Sequence, residues 1–145
     1  MENFKKELFK KEYGIDFPPY FKISEDKCHE IKYNIIHKFK LIQDDFEKSL
    51  RKKQLFFNLI NAENENFNFC NVLKNIQITI GSRLYVNWDN FQTIDKFSSE
   101  DFCKYFNDIW FPSADDIDIF DDKLNWIISI RHDGAIFYIE SCQTN

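Results

Sequence analysis

The chain has 145 residues, 43% of them hydrophobic and 18% aromatic, with a formal net charge of −5. Such apolar content excludes a disordered chain, and the length suits one domain, 1–145, with a core of its own. The acidic balance excludes general nucleic-acid binding, and without a long uninterrupted apolar run the sequence predicts neither a signal peptide nor a membrane span, hence a cytosolic protein.

Charge is unevenly spread. Residues 1–60 hold 13 Lys and Arg against 10 Asp and Glu, whereas residues 61–145 hold 6 against 14, so the C-terminal part suits a basic partner. The cysteines Cys28, Cys70, Cys103 and Cys142 form no C-x-x-C pair and are expected to be buried apolar thiols.

Taken in order, Asn3 to Tyr13 predicts a short amphipathic helix with Phe4, Leu8 and Phe9 inward, closed by Gly14. Phe17-Pro18-Pro19-Tyr20 forces an extended connector. Ser24 is the expected N-cap of a helix carrying Cys28, Ile31, Ile35, Phe39 and Ile42 at spacings of three and four. Because Tyr33, Ile35, His37, Phe39 and Leu41 also alternate, a strand over Tyr33–Leu41 stays open as an alternative.

Asp44 and Glu47 read as a capping box opening a helix through Phe46, Leu50, Phe57 and Ile60, with Lys48, Arg51, Lys52 and Lys53 on its wet side. Residues 61–68 form a polar loop. Ile76, Ile78 and Ile80 alternate, as do Leu84, Val86 and Trp88, which predicts a hairpin across Gly81-Ser82 with Ile80 opposite Leu84. Ser98 or Ser99 then caps a helix bearing Phe102, Phe106 and Ile109.

The run from Trp110 to Ile139 is the most informative. Asp133-Gly134 signals a two-residue type I′ hairpin, which would set Ile130 opposite Phe137, Ile128 opposite Ile139 and Trp126 opposite Ser141. Ile117 and Ile119 extend that apolar face to a third strand. The same register turns Asp116 and Asp118 outward, beside Ser129 and Arg131. The expected fold is therefore α+β: a mainly antiparallel sheet of about five strands with N-terminal helices packed on one face, helical over about 1–60 and sheet-rich over about 75–142.

Asp115, Asp116, Asp118, Asp121 and Asp122 lack the turn glycine and the closing glutamate of an EF-hand, so a protein-binding patch is favoured over a metal site, and no cofactor is expected. Trp110 and Tyr138 beside them are candidate interface anchors. His132 next to Asp133 suits a general base, but no nucleophile elbow or glycine-rich phosphate loop accompanies it. His29, His37 and Cys28 are too irregularly spaced for zinc.

Asp108-Ile109-Trp110-Phe111-Pro112-Ser113, then Asp115-Asp116-Ile117, Asp121, Trp126-Ile127 and His132-x-Gly134, resemble the C-terminal signature of small bacterial domains. The stretch is more loosely similar to immunity proteins of polymorphic and contact-dependent toxin systems. That resemblance covers the last third of the chain and implies a non-enzymatic cytosolic protein that neutralises a basic toxin domain, such as a nuclease. The residues themselves add an acidic, aromatic surface made of Asp115, Asp116, Asp118, Asp121, Asp122, Trp110 and Tyr138. The alternatives are a small metal-assisted or His/Asp hydrolase, and a structural subunit of a larger assembly.

Overall fold

The computed structural model describes residues 1–141. It is an α+β fold in which seven strands form one antiparallel sheet. The strands are β1 (Phe21–Lys22), β2 (Leu55–Phe57), β3 (Arg83–Asp89), β4 (Thr93–Ser98), β5 (Ile117–Phe120), β6 (Trp126–Ile130) and β7 (Ile136–Glu140). Their order is β1-β4-β3-β5-β6-β7-β2. The helices are α1 (Asn3–Tyr13), α2 (Glu25–Lys38), α3 (Phe46–Lys53), α4 (Phe69–Asn75), α5 (Ser99–Lys104) and α6 (Phe106–Ile109). Among the described residues no helix is long and apolar enough to cross a membrane.

Two helices start at the serines expected to cap them. Ser24 Oγ accepts from the Lys27 N–H and Ser98 Oγ from the Asp101 N–H, each satisfying an orphan donor of the first turn. Gly14, at φ +72°, ends α1. Two further helices end without glycine: Lys40 (φ +56°) follows α2 and Gln77 (φ +60°) follows α4. In each case the next N–H reaches back five residues, Leu41 to the Ile36 carbonyl and Ile78 to the Leu73 carbonyl, as in a Schellman end. The first stop makes Tyr33–Lys38 helical and removes the strand alternative. The second turns the chain at Gln77, so Ile76, Ile78 and Ile80 pack as half-buried loop residues and form no strand.

β3 therefore pairs forward with β4, Leu84 opposite Phe97 and Val86 opposite Asp95, across a tight turn with positive φ at both Asn90 and Phe91. Three other expectations change. The helix opening at Asp44 begins at Phe46 with no side-chain cap and stops at Lys53, after which Leu55–Phe57 becomes the edge strand β2 against β7. In α1 Phe9 is inward but Phe4 and Leu8 are exposed, and Lys5 takes the buried position. The Ser98-capped helix breaks at Tyr105 into α5 and α6.

The β6–β7 hairpin closes through three residues. The Arg131 N–H bonds the Ala135 carbonyl and the Gly134 N–H bonds the Arg131 carbonyl, with Gly134 at φ +82° as the left-handed bulge residue. This shifts the register by one from the type I′ expectation: Ile130 faces Ile136, Ile128 faces Tyr138 and Trp126 faces Glu140. On β7 the faces are thereby exchanged, so Ile136 and Tyr138 join one core while Phe137 and Ile139 lie on the opposite side. β5 keeps its expected face, with Ile117 opposite Ile130 and Ile119 opposite Ile128.

Both sheet faces are covered. One core packs Leu84, Val86, Phe97, Ile117, Ile119, Ile128 and Ile130 against Val72, Leu73, Phe102, Phe106, Ile109 and Trp110 of α4 to α6 and the residue that follows. The other packs Ile94, Phe120 and Ile127 against Cys28, Ile31 and Ile35 of α2 and Phe46 and Leu50 of α3. Helices thus flank the sheet on two sides and come from both halves of the chain. Cys70 and Cys103 are disulfide-bonded, tying α4 to α5 with Cα atoms 6.1 Å apart, whereas Cys28 is a buried thiol as expected. Cys142 lies outside the described residues.

Candidate functional site

The second helical layer decides the fate of the acidic run. Asp118, on the face opposite Ile117 and Ile119, is 3% exposed beneath α3. Its carboxylate accepts from Ser129 Oγ (2.5 Å), Arg51 (3.0 Å), Arg131 (3.3 Å) and Asn87 Nδ2 (3.0 Å). The expected outward position of Asp118 is thus corrected, and Arg51, read as a wet helix residue, reaches inward to complete the network. Burial pulls the Arg131 guanidinium below its ordinary value, Asp118 acting against that pull and Arg51 adding to it.

Asp115 is buried as well. Its Oδ2 accepts from Lys5 Nζ at 2.6 Å and from the Phe111 N–H at 2.8 Å, and its carbonyl accepts from the indole of buried Trp110 at 3.0 Å. Asp121 accepts the Leu124 N–H within the β5–β6 turn, and Asp122 beside it is exposed. Tyr138 is half-buried against Phe57. Asp116 remains at the surface, where it accepts from the His132 N–H (2.7 Å) and lies 3.0 Å from His132 Nδ1. Burial opposes its ionisation, but the two His132 contacts and Arg131 outweigh that and hold its carboxyl below the ordinary value. The seven residues therefore do not form one patch.

Asp115 and Asp116 do share a cleft of about 500 Å³ with Met1, Glu2, Tyr20, Lys22, Trp88, Thr93, Asp95 and Ala114. The entry to β5 supplies Asp115 and Asp116, β3 Trp88, β4 Asp95, β1 Lys22, and the start of the chain Glu2. Asp95 is 1% exposed, accepts from Trp88 Nε1 at 2.9 Å and is ion-paired with the Met1 amino group. Lys5, equally buried, places its ammonium 4.4 Å from the Trp88 ring centre and donates to the Ile109 carbonyl at 2.8 Å. The site therefore combines carboxylates with aromatic faces, the pairing that holds ammonium groups in proteins.

Trp88, like Tyr105, is a candidate interface anchor in the sequence, but Lys5 and Asp95 escape a reading that looks for runs of like residues. Asp95 sits alone between Ile94 and Lys96 in a strand, where no run or spacing of like residues marks it. Among the described residues no group of three or more His, Cys, Asp or Glu is arranged to hold a metal ion. Comparison finds no matching family model, no matching curated protein and no matching solved structure.

Proposed function

We propose that this chain is a non-enzymatic binding protein of the immunity type, which acts by occupying a basic surface of a toxin domain. The observation that carries the reading is the cleft, where Glu2, Asp95, Asp115 and Asp116 stand around Trp88 and Tyr20. Carboxylates steer a basic partner into contact, and aromatic walls supply the desolvated anchors of an interface. The contact surface is accordingly moved from the whole aspartate run to this cleft, since Asp118 serves the core and Asp121 and Asp122 lie at the β5–β6 turn.

Co-expression with the product of the neighbouring reading frame tests the proposal. Co-purification and rescue of growth are expected, both weakened by Asp116→Asn with Tyr20→Ala; neutralisation unaffected by that pair would remove the cleft from the interface. A second reading, a His/Asp hydrolase, draws on the Asp116–His132 contact beside the cleft. It requires that His132→Ala abolish a hydrolytic activity, whereas the binding reading expects neutralisation to survive that change.

A further inference from the structure

We infer that the free edge of β2 is a pairing surface for a second copy of this chain, joined strand to strand about a two-fold axis at Phe56. Among the described residues β2 pairs with β7 alone and so ends the sheet at the edge opposite β1. The two edges are guarded differently. β1 carries Lys22 and follows Pro18 and Pro19, which blunt an edge against further pairing, whereas Gln54 to Ile60 holds neither charge nor proline. Leu55 and Phe56 are each 61% exposed and Leu59 68%. The Phe56 ring centre lies 5.4 Å from that of half-buried Phe137, so the apolar surface continues from β2 onto β7.

The ladder fixes which backbone groups are open. The Arg131 N–H bonds the Ala135 carbonyl, so odd-numbered residues of β7 turn their backbone groups to β6 and even-numbered ones to β2, as the Gly134 carbonyl does in accepting the Ala62 N–H. Ile136 and Tyr138 therefore bond Phe57 and Leu55, and Phe56 points its N–H and carbonyl away from the sheet. Antiparallel pairing at Phe56 lets two copies exchange both bonds and sets their exposed rings side by side. Charge selects a second copy as the occupant. Lys52 and Lys53 precede the strand and Glu63 and Glu65 follow it, all exposed. Ala62 sits at Gly134, three residues along β7 from the Phe137 rung, and Lys53 lies three residues before Phe56, so the two-fold brings the acidic end of each copy to the basic end of the other. The cleft lined from β1, β3 and β4 lies toward the other edge of the sheet, and the pairing does not use it.

The test is sedimentation equilibrium of the full chain from about 5 µM to about 1 mM, over which so small a contact is expected to give a dimer with a dissociation constant in the micromolar range. Phe56→Lys sets two like charges across the axis, and Phe56→Pro removes the outward N–H while leaving the Leu55 and Phe57 bonds to β7. Each should raise the dissociation constant at least about tenfold. Lys52→Glu with Lys53→Glu should weaken the dimer, and adding Glu63→Lys and Glu65→Lys should restore it. Exchange of the Phe56 amide proton should slow as the concentration of the unmodified chain rises. A chain that stays monomeric throughout overturns the proposal, even one that captures a foreign strand at this edge. A dimer indifferent to both Phe56 changes overturns it as well, and so does a Phe56 amide whose exchange ignores concentration. Should the Phe56 variants fail to fold, the charge exchange decides: restored association supports the two-fold, and association that stays weak overturns it.

Discussion

Asp118 receives donors from two arginines, a serine and an asparagine, which makes it the residue whose loss should be felt most. Asp118→Ala leaves Arg51 and Arg131 facing each other under α3, and a cost of about 3 kcal/mol is expected because an uncompensated charge stays behind. Urea denaturation should show this as a lower midpoint with an unchanged slope. Tyr13 offers a separate readout. Its hydroxyl donates to Asp108 at 2.9 Å, and that bond, with some burial and the Asp108 charge, raises its pKa to about 12. The folded state therefore holds this proton more tightly than the unfolded chain, so the contribution is complete below about pH 10 and is lost as pH rises through 12. A spectrophotometric titration should show the Tyr13 ionisation near 12, and Asp108→Asn should move it to lower pH.

At the scale of elements, the β6–β7 hairpin depends on one backbone conformation. A Cβ on Gly134 would combine a left-handed φ with an approach of 1.9 Å to Asn61 Oδ1, in the segment that docks on the turn through the Ala62 N–H to Gly134 carbonyl bond. Gly134→Ala should cost about 1–2 kcal/mol from the backbone term alone, with the side-chain displacement added, measured by chemical denaturation. The α4–α5 pair is tied by Cys70–Cys103 across 33 residues, and loop closure of that length is worth about 3–4 kcal/mol. Reductant, or Cys70→Ser, should lower the melting temperature by roughly 10 °C, while Cys28→Ser should leave that reductant effect intact. Elements with a local cause were legible: the caps at Ser24 and Ser98, Gly14, and the alternation of β3 and β5. β2 and β4 were not, because β2 is three residues at the end of a basic helix and β4 sets its apolar residues Ile94 and Phe97 three apart, out of step with a strand's period of two.

Across the whole molecule, the sheet is enclosed by α2 and α3 on one side and α4 to α6 on the other. That closure turns Asp118 of the acidic run inward and leaves Asp116 and Asp122 outside. The Trp-Ile-Ile-Ser-Ile run of β6 is the sign of it in the sequence, since a strand buried on both faces reads as continuous rather than alternating apolar residues. The charge asymmetry between the two parts of the chain acts at this scale too. If the acidic part steers a basic toxin domain, the association rate should fall on the order of tenfold between 50 and 500 mM salt while the dissociation rate changes little, measurable by stopped flow. A salt-independent association rate would argue against electrostatic steering.

The sequence by itself determined where α1, α2 and α5 begin, that an antiparallel meander runs from Ile117 to Glu140, and that Ile117, Ile119, Ile128 and Ile130 share one face, because caps and period-two alternation act between near neighbours. Only the tertiary structure decided the hairpin register, since Asp-Gly serves a two-residue turn and a three-residue bulged loop alike. It alone also decided which carboxylates reach water. Asp115, Asp116 and Asp118 are adjacent in sequence yet meet Lys5, His132 and Arg51 in three different settings, each partner at least 16 residues away and chosen by packing. The cleft at Asp95 is wholly of this second kind, assembled from five separate stretches of chain that no local pattern connects.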